Sequence, residues 1–414
     1  MKKILFLGAS GYFYDAALYA KSIGLYLIAI DIQPAEKAIV KTIADESYMM
    51  STTDFDSVYK LCKEKEIDGI YAGASEVNIP IAIKLTEKLN LPYFATLEQW
   101  KMCTNKDIFK EKCQKHGIRV AKTFDINDNI TFPVVVKPTD SNGSQGVSIC
   151  RNRDELEISY DKAISFSNKG KVLIEEYIPS DSVIIHITII DGEVFYSGMS
   201  DKKSKKIIDN GPPIMALQLF PSTHEQEYLD KVHDKVVSLI NDEKILNGPI
   251  WIESFYHEQD FIFNEVGFRY GGSLTYYPVE FYYDINQMHL LINQSIGNPL
   301  NEFKTKYNSA KNRQFIYAIL PIQINPGTIK EIIGLDKGLE VEGIYKFVQS
   351  LPIGTTVYQS GTTSQVFGYL HIIGLNQQEI KNSITNFLNI VKVVSDNNDK
   401  NQIFTIWKEY NHGE

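Results

Sequence analysis

Residues 251–273 read WIESFYHEQDFIFNEVGFRYGGS, and the fold prediction starts from this stretch. Residues 251–256 and 260–266 are rich in aromatic and β-branched residues, as strands are. The polar segment 257–259 between them is short enough to be a turn. The stretch therefore predicts an antiparallel hairpin.

Two acids on this hairpin give it chemical meaning. Glu253 and Glu265 can project from neighbouring strands onto one face, and Arg269 follows four residues after the second acid. Carboxylates on one face repel each other unless a cation lies between them, and such oxygen ligands suit Mg²⁺ carrying nucleotide phosphates. The alternative is a solvated hairpin with ordinary surface acids.

Length and composition set the broad class of the protein. At 414 residues the chain is long enough for two or three domains. Its content of 43% apolar and 22% charged residues is typical of a globular protein in water. The net charge is −9, from 42 Lys and Arg against 51 Asp and Glu, so no general basic surface for nucleic acid is predicted.

Cysteine usage and apolar runs indicate the compartment. The cysteines are scattered without a CxxC motif, so neither a disulfide framework nor a zinc site is predicted. Residues 1–10 begin like a signal peptide, but the apolar run ends at Gly8. No segment approaches the roughly 20 apolar residues of a membrane span. We expect a cytoplasmic protein whose cysteines are buried or half-buried: Cys62, Cys103, Cys113 and Cys150.

The first hundred residues alternate between strand and helix patterns. This alternation predicts a parallel sheet covered by helices on both faces, with ligands at the carboxyl ends of its strands. The predicted strands are 4–7, 25–31, 69–72 and 92–95, and the predicted helices are 14–23, 58–65 and 80–89.

Two loops at those strand ends are candidate substrate contacts. The turn 8–11 contains Ser10, and the next loop contains Glu76, a candidate partner for a substrate amine. An N-cap role for Ser75 with Glu76 in the first helical turn explains the second loop equally well. A dinucleotide fingerprint would require a glycine at Phe13, so a nicotinamide-dependent oxidoreductase is only a lesser alternative.

Three motifs between residues 105 and 178 favour nucleotide binding. A charged amphipathic helix, 105–115, carries Lys106, and the apolar strand 132–138 ends near Lys137, which is costly to bury unless it meets an anion. Residues 139–148 form a glycine-containing loop whose amides can bind phosphate and which can close as a lid. Residues 171–178, KVLIEEYI, form a strand ending in paired acids, interpreted as a hinge at an adenine edge or as a charged strand end.

In this order the motifs resemble the ATP-grasp superfamily over roughly residues 100–300. The resemblance implies ATP held between two α+β lobes, Mg²⁺ bridging its phosphates, and an enzyme that joins a carboxylate to an amine or other nucleophile through an acyl-phosphate. Mn²⁺ is an alternative ion. It also implies small-molecule acid and amine substrates. A homodimer is a further expectation, and no membrane partner is expected.

Site residues follow from the resemblance position by position. It implies metal binding by Glu253 and Glu265 and an acyl-phosphate steadied by Arg269. Substrate contacts are implied at Gly271, Gly272 and Ser273. The implied nucleotide contacts are Lys106, Lys137, the loop residues Ser141, Asn142, Gly143, Ser144, Gln145 and Gly146, the hinge residues Glu175, Glu176, Tyr177 and Ile178, and Asp181 as the nearest ribose-binding acid.

One departure from the superfamily pattern concerns the metal. Many members have an asparagine ligand two residues after the second acid, whereas this chain has Gly267. This weakens the case for a second tightly held ion.

The segment after the hinge predicts a second hairpin, 183–197, about Asp191 and Gly192. Residues 200–213 are hydrophilic and predict a mobile loop, in which Lys202 is the best candidate for a catalytic cation; a solvated charge run is the alternative. Residues 225–241 predict one amphipathic helix. Farther on, residues 327–333 predict a helical turn.

The predicted fold class is α/β and α+β, with three domains. Residues 1–98 form a parallel α/β domain, 99–305 the two-lobed ATP-grasp domain with a moving lobe at about 117–178, and 306–414 a small mixed-sheet domain. That last part is similar to the C-terminal domain of carboxylase-type members.

The function predicted from these motifs is an ATP- and Mg²⁺-dependent carboxylate–amine ligase acting on an amino acid or small amine. The alternatives are a bicarbonate-using carboxylase or carbamoyl-phosphate-type enzyme, and a nucleotide-binding regulatory protein without turnover.

Overall fold

A parallel sheet forms the first part of the computed structural model, which describes residues 1–139, 146–167, 169–208, 213–308, 311–396 and 403–404. Its strand order is β3-β2-β1-β4, and every pairing is parallel, as predicted. The strands are β1 (Lys3–Leu7), β2 (Tyr26–Asp31), β3 (Glu46–Met49) and β4 (Gly69–Tyr71), with helices α1 (Tyr14–Ser22), α2 (Phe55–Lys65) and α3 (Ile79–Leu89).

The predicted strand at 92–95 is wrong. This segment has no strand partner, and Phe94 instead packs edge-to-face on Phe268 with ring centroids 5.1 Å apart. Its apolar residues therefore cover the next sheet rather than extend the first. Two helices that follow lead into the site: α4 (Leu97–Thr104), which begins with a Thr96–Gln99 capping box, and α5 (Lys106–Lys115).

A small antiparallel sheet forms the lobe predicted to move. Among the described residues its order is β5-β8-β6-β7, and one helix packs on it. Its own apolar core is separate from that of the main body. The elements are β5 (Thr123–Phe124), β6 (Val134–Pro138), β7 (Ser148–Cys150), α6 (Arg153–Ser165) and β8 (Val172–Glu176).

A large antiparallel sheet organises the rest of the chain. In the described residues its order is β13-β12-β9-β10-β11-β14-β18-β16, with β20 paired to β14. The first five of these strands are β9 (Ser182–Ile190), β10 (Glu193–Lys206), β11 (Pro213–Phe220), β12 (Gly248–His257) and β13 (Asp260–Gly267). The helices beside them are α7 (Glu225–Lys231), α8 (His233–Asp242), α9 (Tyr276–Tyr283), α10 (Gln287–Ser295) and α11 (Asn301–Lys306).

The C-terminal strands continue this sheet, because β14 pairs with β11. The predicted domain boundary between residues 305 and 306 therefore separates strands that belong to one hydrogen-bonded sheet. A further sheet has the order β17-β15-β19 in the described part of the chain. The elements are β14 (Ile316–Ile324), β15 (Gly327–Ile333), α12 (Leu335–Leu339), β16 (Ile344–Gln349), β17 (Thr356–Val357), β18 (Val366–Gly374), α13 (Gln377–Ile390), β19 (Lys392–Ser395) and β20 (Ile403–Phe404).

Three further predictions require correction. Residues 200–206 belong to strand β10, because residues 200–202 pair with β9 and residues 201–206 pair with β11. Residues 327–333 form strand β15, since remote β19 and β17 pair with it. The helix predicted at 225–241 is two helices, interrupted at Val232, whose φ of −128° is not helical.

Two other features agree with expectation. The hairpin about Asp191 and Gly192 has positive φ at both residues, as a type I′ turn requires. The four cysteines are buried and free.

No helix in the described ranges is both long and apolar enough to cross a membrane.

Candidate active site

The two candidate metal-binding acids face each other across the predicted hairpin. In the register of β12 and β13, Glu253 lies directly opposite Glu265, and the ladder shifts immediately afterwards. The turn residues Glu258 and Gln259 have φ of 51° and 61°, so the hairpin closes through a two-residue turn. Local pattern therefore predicted both the hairpin and the juxtaposition of its acids.

A lysine from the neighbouring strand joins these acids. Lys202 Nζ lies 3.0 and 2.9 Å from the two oxygens of Glu253, and we call Glu253, Glu265 and Lys202 the acid cluster. Burial alone would raise the pKa of Glu253, but the Lys202 ammonium outweighs it and the pKa is lowered. The pKa of Glu265 is raised by burial and by the charge of Glu253, with Lys106 opposing the shift. The acid cluster thus carries an excess of negative charge.

A cavity of about 200 Å³ opens beside Glu265. Asn105 caps α5 by accepting hydrogen bonds from Asp107 N at 3.0 Å and Ile108 N at 3.2 Å, which places Lys106 at the first position of the helix. The helix end therefore presents an ammonium group to a carboxylate-lined space. The wall includes Glu76, Trp100, Lys106, Thr139, Glu265 and Gly267.

A predicted catalytic residue and a predicted substrate contact meet at the edge of this space. Arg269 Nη2 lies 2.5 Å from Glu76 Oε1, although the residues are 193 positions apart. The guanidinium also lies over the Trp251 ring, 5.3 Å from its centroid. Its Nε is buried without a hydrogen-bond partner among the described residues. This pair joins the N-terminal sheet to the hairpin at the site.

The space beside Gly267 is taken by an indole. A Cβ built on Gly267 would collide with the Trp251 ring, and Trp251 Nε1 is buried without a partner in the described residues. The ring therefore occupies the place of the asparagine found in many superfamily members. No cluster of three or more His, Cys, Asp or Glu suited to a metal occurs in the described part of the chain. The donors present fit one hard divalent cation on Glu253 and Glu265, with further oxygens from phosphate or water.

Lys137 lies in a second charged group, which we call the lysine cluster: Lys110, Lys137 and Glu175. The Glu175 carboxylate forms ion pairs with both lysines, and all three side chains are buried. Lys137 Nζ also donates to Asn264 Oδ1 at 3.1 Å, next to Glu265 in sequence. Burial lowers the pKa of both ammonium groups. The side chain of Glu175 is therefore engaged by two lysines, and its contact with an adenine edge stays a prediction.

The other predicted hinge residues have structural contacts. Glu176 Oε1 accepts from Lys122 N at 2.9 Å, and Tyr177 N donates to Pro133 O at 3.3 Å. Ile178 is buried with Ala121 and Ile262. The backbone of this segment stays a predicted nucleotide contact.

The remaining predicted nucleotide contacts are Asp181 and the residues of the loop 141–146. Asp181 is exposed and pairs with Lys203 at 2.9 Å. Gly146 has a φ of +75°, which favours glycine, and it packs on Pro138. The other predicted loop contacts lie outside the described residues: Ser141, Asn142, Gly143, Ser144 and Gln145.

The predicted turn donors are only partly available to a ligand. Gly271 N donates to Thr275 Oγ1 at 2.8 Å, and Ser273 Oγ donates to Gln218 Oε1 at 3.1 Å. Both donors thus have partners within the chain, whereas Gly272 is exposed, and contact of this turn with an acyl-phosphate stays a prediction. Ser10 O accepts from Phe13 N at 3.0 Å.

Phe13 explains the incomplete glycine fingerprint. Its ring contacts the positions above Gly8 and Gly73, where a Cβ would crowd it, and it packs on Phe6 and Tyr71. The turn is thus filled by an aromatic side chain. This favours the interpretation that its glycines permit a tight turn over the interpretation that they bind a dinucleotide.

Two side chains of the site were missed as functional candidates. Lys110 was seen only as part of a charged helix, yet its spacing from Lys106 and Cys113 places all three on one face, and Cys113 was expected to be buried. Asn264 had no such signal, because it became relevant only when β13 came next to Lys137.

Comparisons with known proteins agree with this geometry. A family model described as D-ala D-ala ligase C-terminus matches residues 88–209. The formate-dependent phosphoribosylglycinamide formyltransferase of Bacillus subtilis (strain 168) is 25% identical over 291 residues, covering 65% of this chain and 71% of that protein.

Solved structures match over nearly the full chain. An L-amino acid ligase from Bacillus licheniformis has a TM-score of 0.77 at 18% identity and covers 96% of this chain and 99% of that one. The biotin carboxylase domain of the Hydrogenobacter thermophilus 2-oxoglutarate carboxylase, solved as a dimer with MgADP, ADP and bicarbonate, has a TM-score of 0.79 at 17% identity and covers 95% and 91%.

These matches confirm the resemblance to the ATP-grasp superfamily, and the chain has the ATP-grasp fold. By name, the proteins that the chain matches are a formyltransferase, an amino acid ligase and a biotin carboxylase domain.

Proposed function

We propose that this protein is an ATP- and Mg²⁺-dependent ligase that activates a carboxylate as an acyl-phosphate and joins it to an amine. The observation that carries the proposal is the direct opposition of Glu253 and Glu265 beside a cavity that also contains Lys106. A half-buried pair of carboxylates with excess negative charge is a site for a divalent cation. MgADP in the 2-oxoglutarate carboxylase structure supports the choice of ion and nucleotide.

The residues of the chain have distinct roles in this proposal. Glu253 and Glu265 would hold the ion, and Lys106 would bind phosphate oxygens from the helix end. Bound Mg²⁺ would supply charge neutralisation on the β- and γ-phosphates. Arg269, already held by Glu76, would orient the substrate carboxylate for in-line attack. No side-chain nucleophile is needed, since positioning and charge stabilisation carry this chemistry.

The proposed reaction balances in two steps. A carboxylate oxygen attacks the γ-phosphorus, the bond to the β-phosphate oxygen breaks, and ADP leaves. The amine nitrogen then attacks the acyl carbon, the carbon–oxygen bond to phosphate breaks, and the nitrogen loses a proton. The products are an amide, ADP and inorganic phosphate. The names of the amino acid ligase and of the formyltransferase support small molecules as the acid and amine substrates.

An ADP-release screen tests the proposal. Amino acids and simple carboxylates are paired with primary amines, in the presence of Mg²⁺ and ATP, and bicarbonate alone forms a separate arm. We expect ADP release that requires both an acid and an amine and that Glu265→Gln lowers about 100-fold. Glu258→Gln is the matched control, because Glu258 lies at the exposed tip of the same hairpin.

Other outcomes would redirect the assignment. Release that depends on bicarbonate alone would favour carboxyphosphate chemistry. Nucleotide binding without release for any pair would favour the regulatory alternative. Equal release by Glu265→Gln and the unmodified protein would contradict the metal assignment.

A further inference from the structure

A second cavity, of about 350 Å³, lies near the first but has a wall of its own. Four separate parts of the chain form it: the first βα turn with α1, the segment 36–39 after β2, the start of α9, and the end of β16 with the residues that follow it. The two cavities share no lining residue. Gly267 in the wall of the first cavity and Leu274 in the wall of the second are seven positions apart, so a short segment of chain connects the two walls. Its volume is that of a small-molecule site.

The polar part of this wall is one linked group of side chains. Asp15 Oδ2 lies 2.7 Å from Lys346 Nζ, and the Tyr277 hydroxyl donates to the same carboxylate. Lys346 Nζ also lies over the Tyr277 ring, 5.8 Å from its centroid. Asp15 keeps 23% of its side chain exposed, and Lys346 keeps 37%. A carboxylate is thus fixed in the wall while still open to a ligand.

The rest of the wall is mainly apolar and aromatic. Tyr14, Ile39, Leu274, Tyr276 and Phe347 contribute to it. Aromatic walls favour a ligand with an apolar body because they remove its surface from water. The cavity therefore combines a wall suited to an apolar group with a carboxylate suited to a hydrogen-bonding cation.

The charges of the cavity disfavour a phosphate group. Among its lining residues the acids are Asp15 and Glu36 and the cations are Lys37 and Lys346, with no arginine. Lys346 is already paired with Asp15, and Lys37 and Glu36 are both exposed. A phosphate dianion binds where several donors are uncompensated. This balance instead fits a ligand of positive or zero net charge.

We propose that this second cavity binds the amine substrate, and that this substrate is a primary amine with an aromatic or branched apolar body, without phosphate. The proposal rests on the ligase function proposed above. The ammonium group would pair with Asp15 beside Tyr277, and the apolar body would lie between Tyr14, Ile39 and Phe347. An amine bound there reaches the acyl group from a cavity separate from the one assigned to the nucleotide.

Direct binding tests this without turnover. Phenethylamine, L-phenylalanine, ethanolamine and O-phosphoethanolamine are titrated into the full chain by calorimetry, in the absence of ATP. We expect phenethylamine to bind at least tenfold more tightly than O-phosphoethanolamine. Ile39→Trp, which fills the cavity from an exposed position, should weaken phenethylamine binding at least tenfold. Ile158→Trp, at an exposed position on α6, is the matched control and should not.

Asp15→Asn tests the polar end of the cavity. We expect about a tenfold loss of phenethylamine affinity, with binding of a fluorescent ATP analogue unchanged. The melting temperature of each variant confirms that it is folded.

Three results would overturn the cavity assignment: no binding of phenethylamine or L-phenylalanine at millimolar concentration, unchanged binding in Ile39→Trp, or tighter binding of O-phosphoethanolamine. None of them affects the dependence of ADP release on Glu265. Conversely, amine binding without ADP release for any acid would contradict the ligase proposal and leave the cavity assignment supported.

Discussion

The lysine cluster and the acid cluster lie beside the same site but balance their charges differently. In the lysine cluster, two buried ammonium groups enclose one carboxylate, Glu175, within the protein. In the acid cluster, two carboxylates face each other, and the one lysine of the cluster, Lys202, is paired with Glu253. One group is closed by its own partners, whereas the other has an oxygen pair left for a cation.

This difference separates stability from function. A buried charge that loses its partner is costly, so the lysine cluster should matter mainly for folding. Like charges held together cost stability and persist where a ligand compensates them, so the acid cluster should matter mainly for turnover.

The largest effect is expected in the lysine cluster. Glu175→Gln leaves Lys110 and Lys137 buried without a carboxylate and should lower the free energy of unfolding by about 3–5 kcal/mol. Denaturant unfolding measures the change. The adjacent Glu176→Gln is the control; its carbonyl can still accept from Lys122 N, so it should cost less than about 1 kcal/mol. Equal losses in the two variants would show that the ion pairs contribute little.

The opposite pattern is expected for Glu265→Gln. ADP release should fall about 100-fold, a change of ~2.7 kcal/mol in the activation barrier. The free energy of unfolding should stay within about 0.5 kcal/mol or rise, because a repulsion with Glu253 is removed. Initial rates and denaturant midpoints are measured on the same preparation. A large loss of stability in this variant would contradict the distinction between the two clusters.

Local signals in the sequence were sufficient for the acid cluster. The hairpin around residues 251–267 follows from strand composition and a short turn, and its register brings Glu253 opposite Glu265. The parallel order of the first sheet likewise follows from alternating strands and helices. Features of this kind depend on neighbours within about 15 residues.

Nonlocal partners could not be predicted in the same way. Lys110 and Glu175 are 65 positions apart, so an acid predicted to face adenine was found between two lysines. Residues 200–206 have the composition of a loop and become a strand because β9 pairs with their first three residues and β11 with the last six. Residues 327–333 are a strand because remote β19 pairs with them. In each case the deciding contact comes from tertiary packing.

Gly267 offers a sharper test of the acid cluster. Gly267→Asn restores the residue found in many superfamily members, but its Cβ would collide with the Trp251 indole. Overpacking of this kind should cost about 1–3 kcal/mol in the free energy of unfolding. Gly272→Asn is the control, since the atom nearest to a Cβ built on Gly272 is Arg269 Nη1, at 4.0 Å. Combining Gly267→Asn with Trp251→Val should recover part of the loss, and additive losses would exclude the collision as its cause.

The smallest effect is expected at Lys202, which distinguishes competition from support. Its ammonium group occupies both oxygens of Glu253 and so competes with a cation for the same ligands. Lys202→Gln should therefore tighten Mn²⁺ binding in the absence of nucleotide about fivefold, or ~1 kcal/mol. Electron paramagnetic resonance of free Mn²⁺ measures the affinity. Lys203→Gln, whose partner is the exposed Asp181, should leave it unchanged. Weaker Mn²⁺ binding in Lys202→Gln would mean that Lys202 positions Glu253 for the ion, and the acid cluster would then resemble the lysine cluster in being held by its own cation.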